Sequence, residues 1–427
     1  MKIIPFTLFI ATCSLTIASE VRYDNFTLYR LIPKSLSEVN ILTDLETSHL
    51  GGYDFWTHPK DVGVSVDVLV SPDKKSSIKD MMNSNNIQYE VVIENVQEKI
   101  EEEAKLNEAN FKGGKVGFSW TSYARIDQIY DWLIMLSSQY PRIVTVIEGG
   151  RTSEGRRILG VKLSFQPGNE RRGVWLDSLI HAREWIAGAT TTFILNELLT
   201  STDPGVREVA DNHDWYIFPV INPDGYEYTH TTNRLWRKTR KQYGVVCYGA
   251  DPNRNWGFRW NTGGSSSQPC SDTYAGPNSF SEIETDTLSR YLRSIGQNIV
   301  AYISFHSYSQ MILLPYGHTA RHLDNYNQVR GIGLRGAQSL AKRYGTQYVV
   351  GNVAETIYVA TGSSMDWVKD TLKVPVALTY ELRDKGNNGF LLPADQIIPS
   401  GLETLDSLVT ILLQTDRLLL NRNRTVV

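Results

Sequence analysis

His181 and Glu184 stand three residues apart in LDSLIHAREWIAGA, residues 176–189, with Arg183 between them. Imidazole and carboxylate are zinc donors, and a catalytic zinc ordinarily takes three protein ligands and one water. At a spacing of three, both side chains can point the same way from one helical turn. His181 also stands at the exit of an apolar, strand-like run, GVWLDSLI, where α/β sheets carry their functional loops. The pair is a weak signal on its own, because such matches occur by chance on solvated turns. A third ligand is needed, and His306, near the end of the apolar run AYISFHSYS, is the candidate. A histidine at a strand end is by default only a satisfied polar residue. Arg183 poses a separate question, since a cation is an odd neighbour for a cation site.

Other polar residues occupy places that need explaining. VPVALTYELRD puts Glu381 at the end of an apolar strand, a costly position for an unpaired carboxylate. Beside an activated water it could serve as general base and then general acid; the bland alternative is an ion pair with Arg383. RLWRKTRK supplies Arg237, and GADPNRNWGF supplies Asp251, Asn253 and Arg254. Basic clusters of this kind are usually solvated faces or phosphate contacts.

The elements that must position these residues follow from the hydrophobic period. From residue 118 onward, strand-length apolar runs (RIVTVIEGG, RILGVKLS, GVWLDSLI, DWYIFPVIN, IVAYISFHSYS, VPVALTYEL) alternate with longer amphipathic segments. Ile126, Ile129, Leu133 and Leu136 share one helical stripe. The alternation predicts an α/β domain with a mostly buried mixed sheet. Residues 19–111 differ: NFTLYRLIP, VGVSVDVLVSP and IQYEVVIENV alternate as strands, and serine-capped helices lie between them, which predicts a small α+β unit. This block holds 17 Asp and Glu against 9 Lys and Arg, a net −8, whereas residues 112–427 carry +4.

The whole chain, at −3, offers no global charge for nucleic acid or an anionic membrane. Residues 1–18, with Lys2, an apolar run and a small-residue exit, read as a signal peptide rather than a membrane span, so a secreted, extracellular protein in an oxidising compartment is expected. Once Cys13 leaves with the signal, Cys247 and Cys270 remain for a single bridge. Closing that loop is worth roughly 3 kcal/mol of chain entropy. Zinc ligation by the pair would lack further thiolates. Sequons occur at Asn25 and Asn423. A charged helical stretch, EKIEEEAKLNEANFKGGKVG, joins the two units, and its Lys112 and Lys115 read first as solvated linker residues.

Taken together, the motifs IHAREW, WRKTR, DPNRNWGF, FHSYSQ, IYVATGSSMDW and ELRDKGNNGFLLP, in that order, resemble the pancreatic-type (A/B group) zinc metallocarboxypeptidase zymogens. The resemblance runs from the acidic block through nearly all of residues 118–415. It implies a ferredoxin-like, antiparallel open-sandwich prodomain over residues 19–111, and a catalytic domain over 112–427 with helices on both faces of its mixed sheet. It further implies one zinc ion held by His181, Glu184 and His306, Glu381 as general base and acid, and Arg237 polarising the scissile carbonyl. Asn253, Arg254 and Tyr358 would hold the substrate's terminal carboxylate, and Asp251 is a candidate to orient His181. Arg183 would then face the cleft and bond to peptide carbonyls, which gives the odd cation a purpose. The substrates would be peptide and protein C-termini, the protein a monomer, and Lys112 or Lys115 the cutting point of an activating trypsin-like protease. A binding module that has lost catalysis and a zinc amidohydrolase of acylated amino acids are the competing readings; Glu381 and the Asn253, Arg254 and Tyr358 set weigh against them.

In this family the floor of the specificity pocket separates two preferences, and here it is Met365, with Leu313, Gly317, Val353, Ile357 and Thr379 at the other lining positions. No charge is available to meet a lysine or arginine, so aliphatic and aromatic C-terminal residues, an A-like preference, are expected. One departure stands out. The family commonly has glycine two residues before the first zinc histidine, where this chain has Leu179; a backbone needing positive φ there would be disturbed by leucine, with consequences for ligand placement, rate and pocket shape.

Overall fold

The computed structural model describes residues 20–48, 50–112, 118–166, 168 and 171–425. The signal segment and Lys115 lie outside the described residues, as do the side chains of Lys112 and Asn423.

The N-terminal unit consists of β1 (Thr27–Ile32), α1 (Leu36–Thr47), β2 (Tyr53–Phe55), β3 (Val66–Val70), α2 (Lys75–Ser84), β4 (Gln88–Ile93) and the long α3 (Val96–Lys112). Its sheet is antiparallel in the order β2-β3-β1-β4. Ser35 caps α1: its hydroxyl accepts from the Glu38 amide, while the Glu38 carboxylate accepts from the amide of the preceding Lys34 at 2.8 Å. The core of this unit joins Tyr29, Leu31, Val66, Val68 and Val70 from the sheet to Leu42, Ile78 and Met82 from the helices. β2, only three residues long, gives too short a period to be read from sequence.

The C-terminal unit contains α4 (Ile126–Gln139), β5 (Val144–Arg151), β6 (Arg157–Leu163), β7 (Arg172–Ser178), α5 (Trp185–Thr200), α6 (Pro204–Asn212), β8 (His213–Phe218) and α7 (Pro223–Thr231). A short hairpin, β9 (Gln242–Tyr243) and β10 (Cys247–Tyr248), is followed by α8 (Ile283–Ile295), β11 (Ile299–Ser307), β12 (Met311–Leu314), α9 (Tyr326–Tyr344), β13 (Val349–Asn352), α10 (Val353–Thr356), α11 (Ser364–Thr371), β14 (Val376–Leu382) and α12 (Ile397–Thr425). Eight strands form one sheet in the order β13-β12-β14-β11-β7-β8-β6-β5. The middle strands β14, β11, β7 and β8 are parallel, and β12, β6 and β5 join antiparallel.

Both faces of the parallel strands are covered, which is why their sequences read as continuous apolar runs. Val174, Leu176, Ala301, Ile303 and Phe305 enter the larger core with α4, α5, α9 and α12. Trp175 and Tyr302 point the other way, into a second core with Leu288 and Leu292 of α8 and Met365, Trp367 and Val368 of α11. Cys247 and Cys270 form the expected disulfide. Among the described residues no helix is long and apolar enough to cross a membrane.

Candidate metal centre and substrate cleft

Parallel neighbours bring their C-terminal ends to one edge of the sheet. Phe305 of β11 pairs with Ser178 of β7, and His306 pairs with Glu381 of β14. The chain leaving β7 therefore turns beside His306, and that turn carries His181 and Glu184. The turn is not helical, contrary to the spacing argument: Glu184 precedes the first residue of α5 as its N-cap, with φ −86° and ψ 58°, and donates its amide to the His181 carbonyl at 3.3 Å.

The departure at Leu179 has a structural answer. Its φ is 54°, the left-handed conformation in which glycine is at ease. Leucine is accommodated because its fully buried side chain enters the larger core where α5 has Gly188; a Cβ at residue 188 would lie 2.4 Å from Leu179 Cδ1. The turn is kept, and the ligand placement with it.

His181, Glu184 and His306 present donor atoms that all lie within 4.8 Å of one another, and all three residues are buried. The Nδ1 atoms of the two histidines are 3.2 Å apart, and each faces a Glu184 oxygen, at 2.8 Å and 3.2 Å. His181 Nε2 donates to Asp251 at 3.1 Å, which leaves Nδ1 as a lone pair directed at the centre. Two imidazole nitrogens turned toward each other over a carboxylate repel unless a proton or a metal ion lies between them, and the donor set fits zinc, for which His₂Glu is a catalytic ligand set. Burial alone would raise the Glu184 carboxyl, but the facing His181 and His306 hold it well below its ordinary value. Asp251 is likewise held down against its burial by Arg237, His181 and Arg254.

The centre opens into a cavity of about 650 Å³ lined by the triad together with Glu381, Arg237, Asn253, Arg254, Tyr358 and Met365. Burial, then the nearby Glu184 charge, pushes the Glu381 carboxyl up to about 8, against the lowering effect of His306. It is not tied to Arg383, whose guanidinium is taken by Glu403, Gln396 and Thr346. Arg237 donates to Asp251 at 2.8 Å, and Arg254 reaches the Tyr358 hydroxyl at 3.1 Å. Leu313, Val353, Ile357 and Thr379 line the same cavity, and the Thr379 hydroxyl donates to Met365 Sδ at 3.4 Å. Gly317 stands back from it, packed against Val353 and the Ala360 carbonyl in the wall.

The N-terminal unit closes the cleft. Trp56 packs on Tyr308 and Phe390, at ring-centroid distances of 6.4 and 5.0 Å. Asp54 meets Arg183 at 3.2 Å, and Glu103 of α3 forms a buried ion pair with Arg234, which also stacks on Trp185 at 3.6 Å. The loop after β2 lays His58 edge-on to Tyr358 at 4.3 Å between centroids, and Lys60 donates to the Glu355 carbonyl. None of Asp54, His58 and Glu103 was singled out by sequence reasoning, since each is one acid or histidine in a polar stretch. Asp177, a carboxyl inside the apolar run of β7, carried the same signal as Glu381 and was passed over.

Comparison with known proteins agrees with this geometry. The profile described as "Zinc carboxypeptidase" matches residues 129–407, and the one described as "Carboxypeptidase activation peptide" matches residues 29–103. The chain is 46% identical to zinc carboxypeptidase A 1 of Anopheles gambiae over 93% of its length and 92% of the relative's. It is 54% identical to a zinc carboxypeptidase of Simulium vittatum over 69% of its length and 97% of the relative's. The crystal structure of carboxypeptidase A from Helicoverpa armigera superimposes with a TM-score of 0.85 at 30% identity, covering 93% of this chain and 98% of that one. A buried His₂Glu centre at the mouth of a mixed sheet, closed by an acidic unit that matches the activation peptide, accompanies these likenesses: the chain belongs to the zinc carboxypeptidases, as a metallocarboxypeptidase made in zymogen form.

Proposed function

We propose that the protein is a secreted exopeptidase that removes single aliphatic or aromatic residues from peptide C-termini, with His181, Glu184 and His306 holding one zinc ion. The observation that carries this reading is the presence, in one cavity, of the metal triad, of Arg254 and Asn253, and of an uncharged Met365. Arg254 offers a planar fork suited to a carboxylate, and Tyr358 extends that donor set. A buried lysine or arginine side chain would find no counter-charge at Met365, so apolar side chains gain the advantage. The mosquito relative, named as an A-type enzyme, supports the same preference.

Zinc, when bound, supplies the Lewis acidity that activates water and polarises a carbonyl. The chain's own groups do the rest. Glu381 accepts a proton from the attacking water and delivers it to the departing amine nitrogen as the C–N bond breaks. Arg237, held by Asp251, offers its guanidinium to the oxyanion that develops on the carbonyl. Arg183 serves the peptide upstream of the cut once Asp54 has left it. Activation by a trypsin-like protease at Lys112 or Lys115 would free the unit that occupies these groups.

Release of C-terminal Phe, Leu, Lys and Glu from matched peptides, before and after trypsin and with and without a zinc chelator, tests the reading. The expected result is chelator-sensitive release of Phe and Leu only after trypsin. Faster release of Lys than of Phe would end the A-like assignment. No release from a clean, zinc-loaded enzyme would leave the binding-module reading in its place.

A further inference from the structure

Arg183 is 2% exposed and meets two carboxylates through one nitrogen. Its Nη1 lies 3.2 Å from Asp54 Oδ2, in the N-terminal unit, and 3.8 Å from Asp272 Oδ2, in its own unit. These are the two ion-pair partners of Arg183 among the described residues. Its other contacts belong to the C-terminal unit: Nη1 reaches the Leu235 carbonyl at 3.4 Å, and the guanidinium lies 4.2 Å from the centre of the Phe390 ring. Both ion pairs use Nη1, which leaves the rest of the fork for a peptide carbonyl.

Removing the N-terminal unit takes Asp54 away and leaves Asp272, whose loop is tied within the C-terminal unit. Cys270, two residues before it, is bridged to Cys247, and the buried Lys238 donates to the Pro269 carbonyl at 2.8 Å. On the other side, the Tyr274 carbonyl accepts from the backbone amide of Asp251 at 2.8 Å. Asp251 is also the partner of His181 and Arg237, so the loop is anchored to the frame of the metal centre. Asp272 lines the cleft, and with Asp54 it lines a second cavity of about 250 Å³ between the two units. Its side chain is half exposed, and an acid so placed ordinarily contributes little. Here the partner is a buried guanidinium, and a buried charge stripped of its last carboxylate is costly.

We propose that Asp54 and Asp272 share Arg183 in the zymogen, and that Asp272 alone then holds it, as a positioning residue for the peptide upstream of the cut. The sharing acts with opposite sign in the two forms. In the zymogen Asp272 competes with Asp54 for Nη1 and repels it, which opposes closure. In the activated enzyme it is the carboxylate that keeps the guanidinium in place for the substrate. The inference rests on the reading of Arg183 as a group that bonds to peptide carbonyls.

The test compares wild type, Asp272→Asn, Asp272→Glu and Arg183→Gln, each zinc-loaded, before and after trypsin, on an acetylated tetrapeptide ending in Phe. In the activated enzyme Asp272→Asn should raise KM about three- to fivefold with kcat less affected, the worth of one partly exposed ion pair, and Asp272→Glu should return KM to within about twofold of wild type. Binding of 3-phenylpropanoate, which has no carbonyl upstream of its carboxylate, and zinc affinity, read by competition with a chelating dye, should both stay within about twofold. The open zymogen has the same cleft as the activated enzyme, so the ratio of uncut to activated rate reads the open fraction. That ratio should fall at least about twofold in Asp272→Asn, because Asp54 then has Arg183 to itself. A KM that stays at the wild-type value in Asp272→Asn, equal weakening of peptide and 3-phenylpropanoate, or a ratio that fails to fall would overturn the proposal. An Arg183→Gln enzyme with wild-type KM for the tetrapeptide would instead remove the reading of Arg183, and this inference with it.

Discussion

Glu381 shows how one side chain is set by its surroundings. Its carboxyl is raised to about 8, first by burial and then by Glu184, whereas His306, Arg237 and Arg254 favour ionisation. A general base works only when ionised, so activity must fall as pH drops through its pKa. Bound zinc adds positive charge and favours the ionised form, which places the acidic limb of kcat/KM below 8 but above the ordinary glutamate range of about 4.3. Glu381→Gln should lower kcat by about 10²–10⁴ without loss of bound zinc; measured pH–rate profiles and metal content check both statements. The sequence alone made Glu381 conspicuous, because an acid at the end of an apolar strand calls for an explanation. Met365 was legible only through the family resemblance, since a methionine on an amphipathic helix reads as core. Its contact with Thr379, fourteen residues away, depends on α11 packing against β14.

At the level of elements, the turn between β7 and α5 carries the first two ligands, and its conformation is kept by an exchange between positions. A leucine in the left-handed region costs about 1–2 kcal/mol. Burying its side chain returns about 1.5–3 kcal/mol, on condition that Gly188 leaves the space. Gly188→Ala should therefore destabilise by about 1–3 kcal/mol, and Leu179→Ala by about 2–4 kcal/mol. The double variant should lose at least about 1 kcal/mol less than the sum of the two, because the added methyl then enters the vacated volume. Urea midpoints at saturating zinc would measure this coupling, and strict additivity would show that the two residues do not share the space. The period-2 and period-3.6 patterns located most of the long elements, but α6, α7, α11 and the short strands β12 and β13 escaped them, being too brief or too polar to show a period. The expectation that leucine would disturb the ligands failed because Gly188 is nine residues away, and only the fold brings the two together.

At the scale of the whole molecule, the charge contrast between the two units is realised by a few placed contacts. Asp54 takes Arg183 and Glu103 takes Arg234, while Arg22 and Asp24 pair within the N-terminal unit at the surface. Pairs exposed like the last contribute little, whereas a buried pair that loses one partner leaves a stranded charge. Glu103→Gln should loosen the closed form, so that the uncut zymogen releases Phe from peptides at least about tenfold faster than the wild-type zymogen, a shift of about 1.4 kcal/mol. The fully activated variant should match wild-type activity. Rates measured before and after trypsin separate the two, and equal zymogen rates would assign closure to Trp56 and the other apolar contacts instead.

By itself the sequence determined the division into an acidic α+β unit and an α/β unit, the buried parallel strands, and the residue types needed for a zinc exopeptidase. Those features are read along the chain without knowing which residues meet: apolar period, the charge of each segment and the order of motifs. The tertiary structure decided which carboxylates close the cleft, how Leu179 is tolerated, and how Asp177 accepts from Trp175, Tyr302 and Ser304 to tie β7 to β11. Each of these depends on atoms within a few ångströms but from nine to hundreds of residues apart, a proximity that only strand register, the packing of α5 on its preceding turn and the packing of one unit on the other can create.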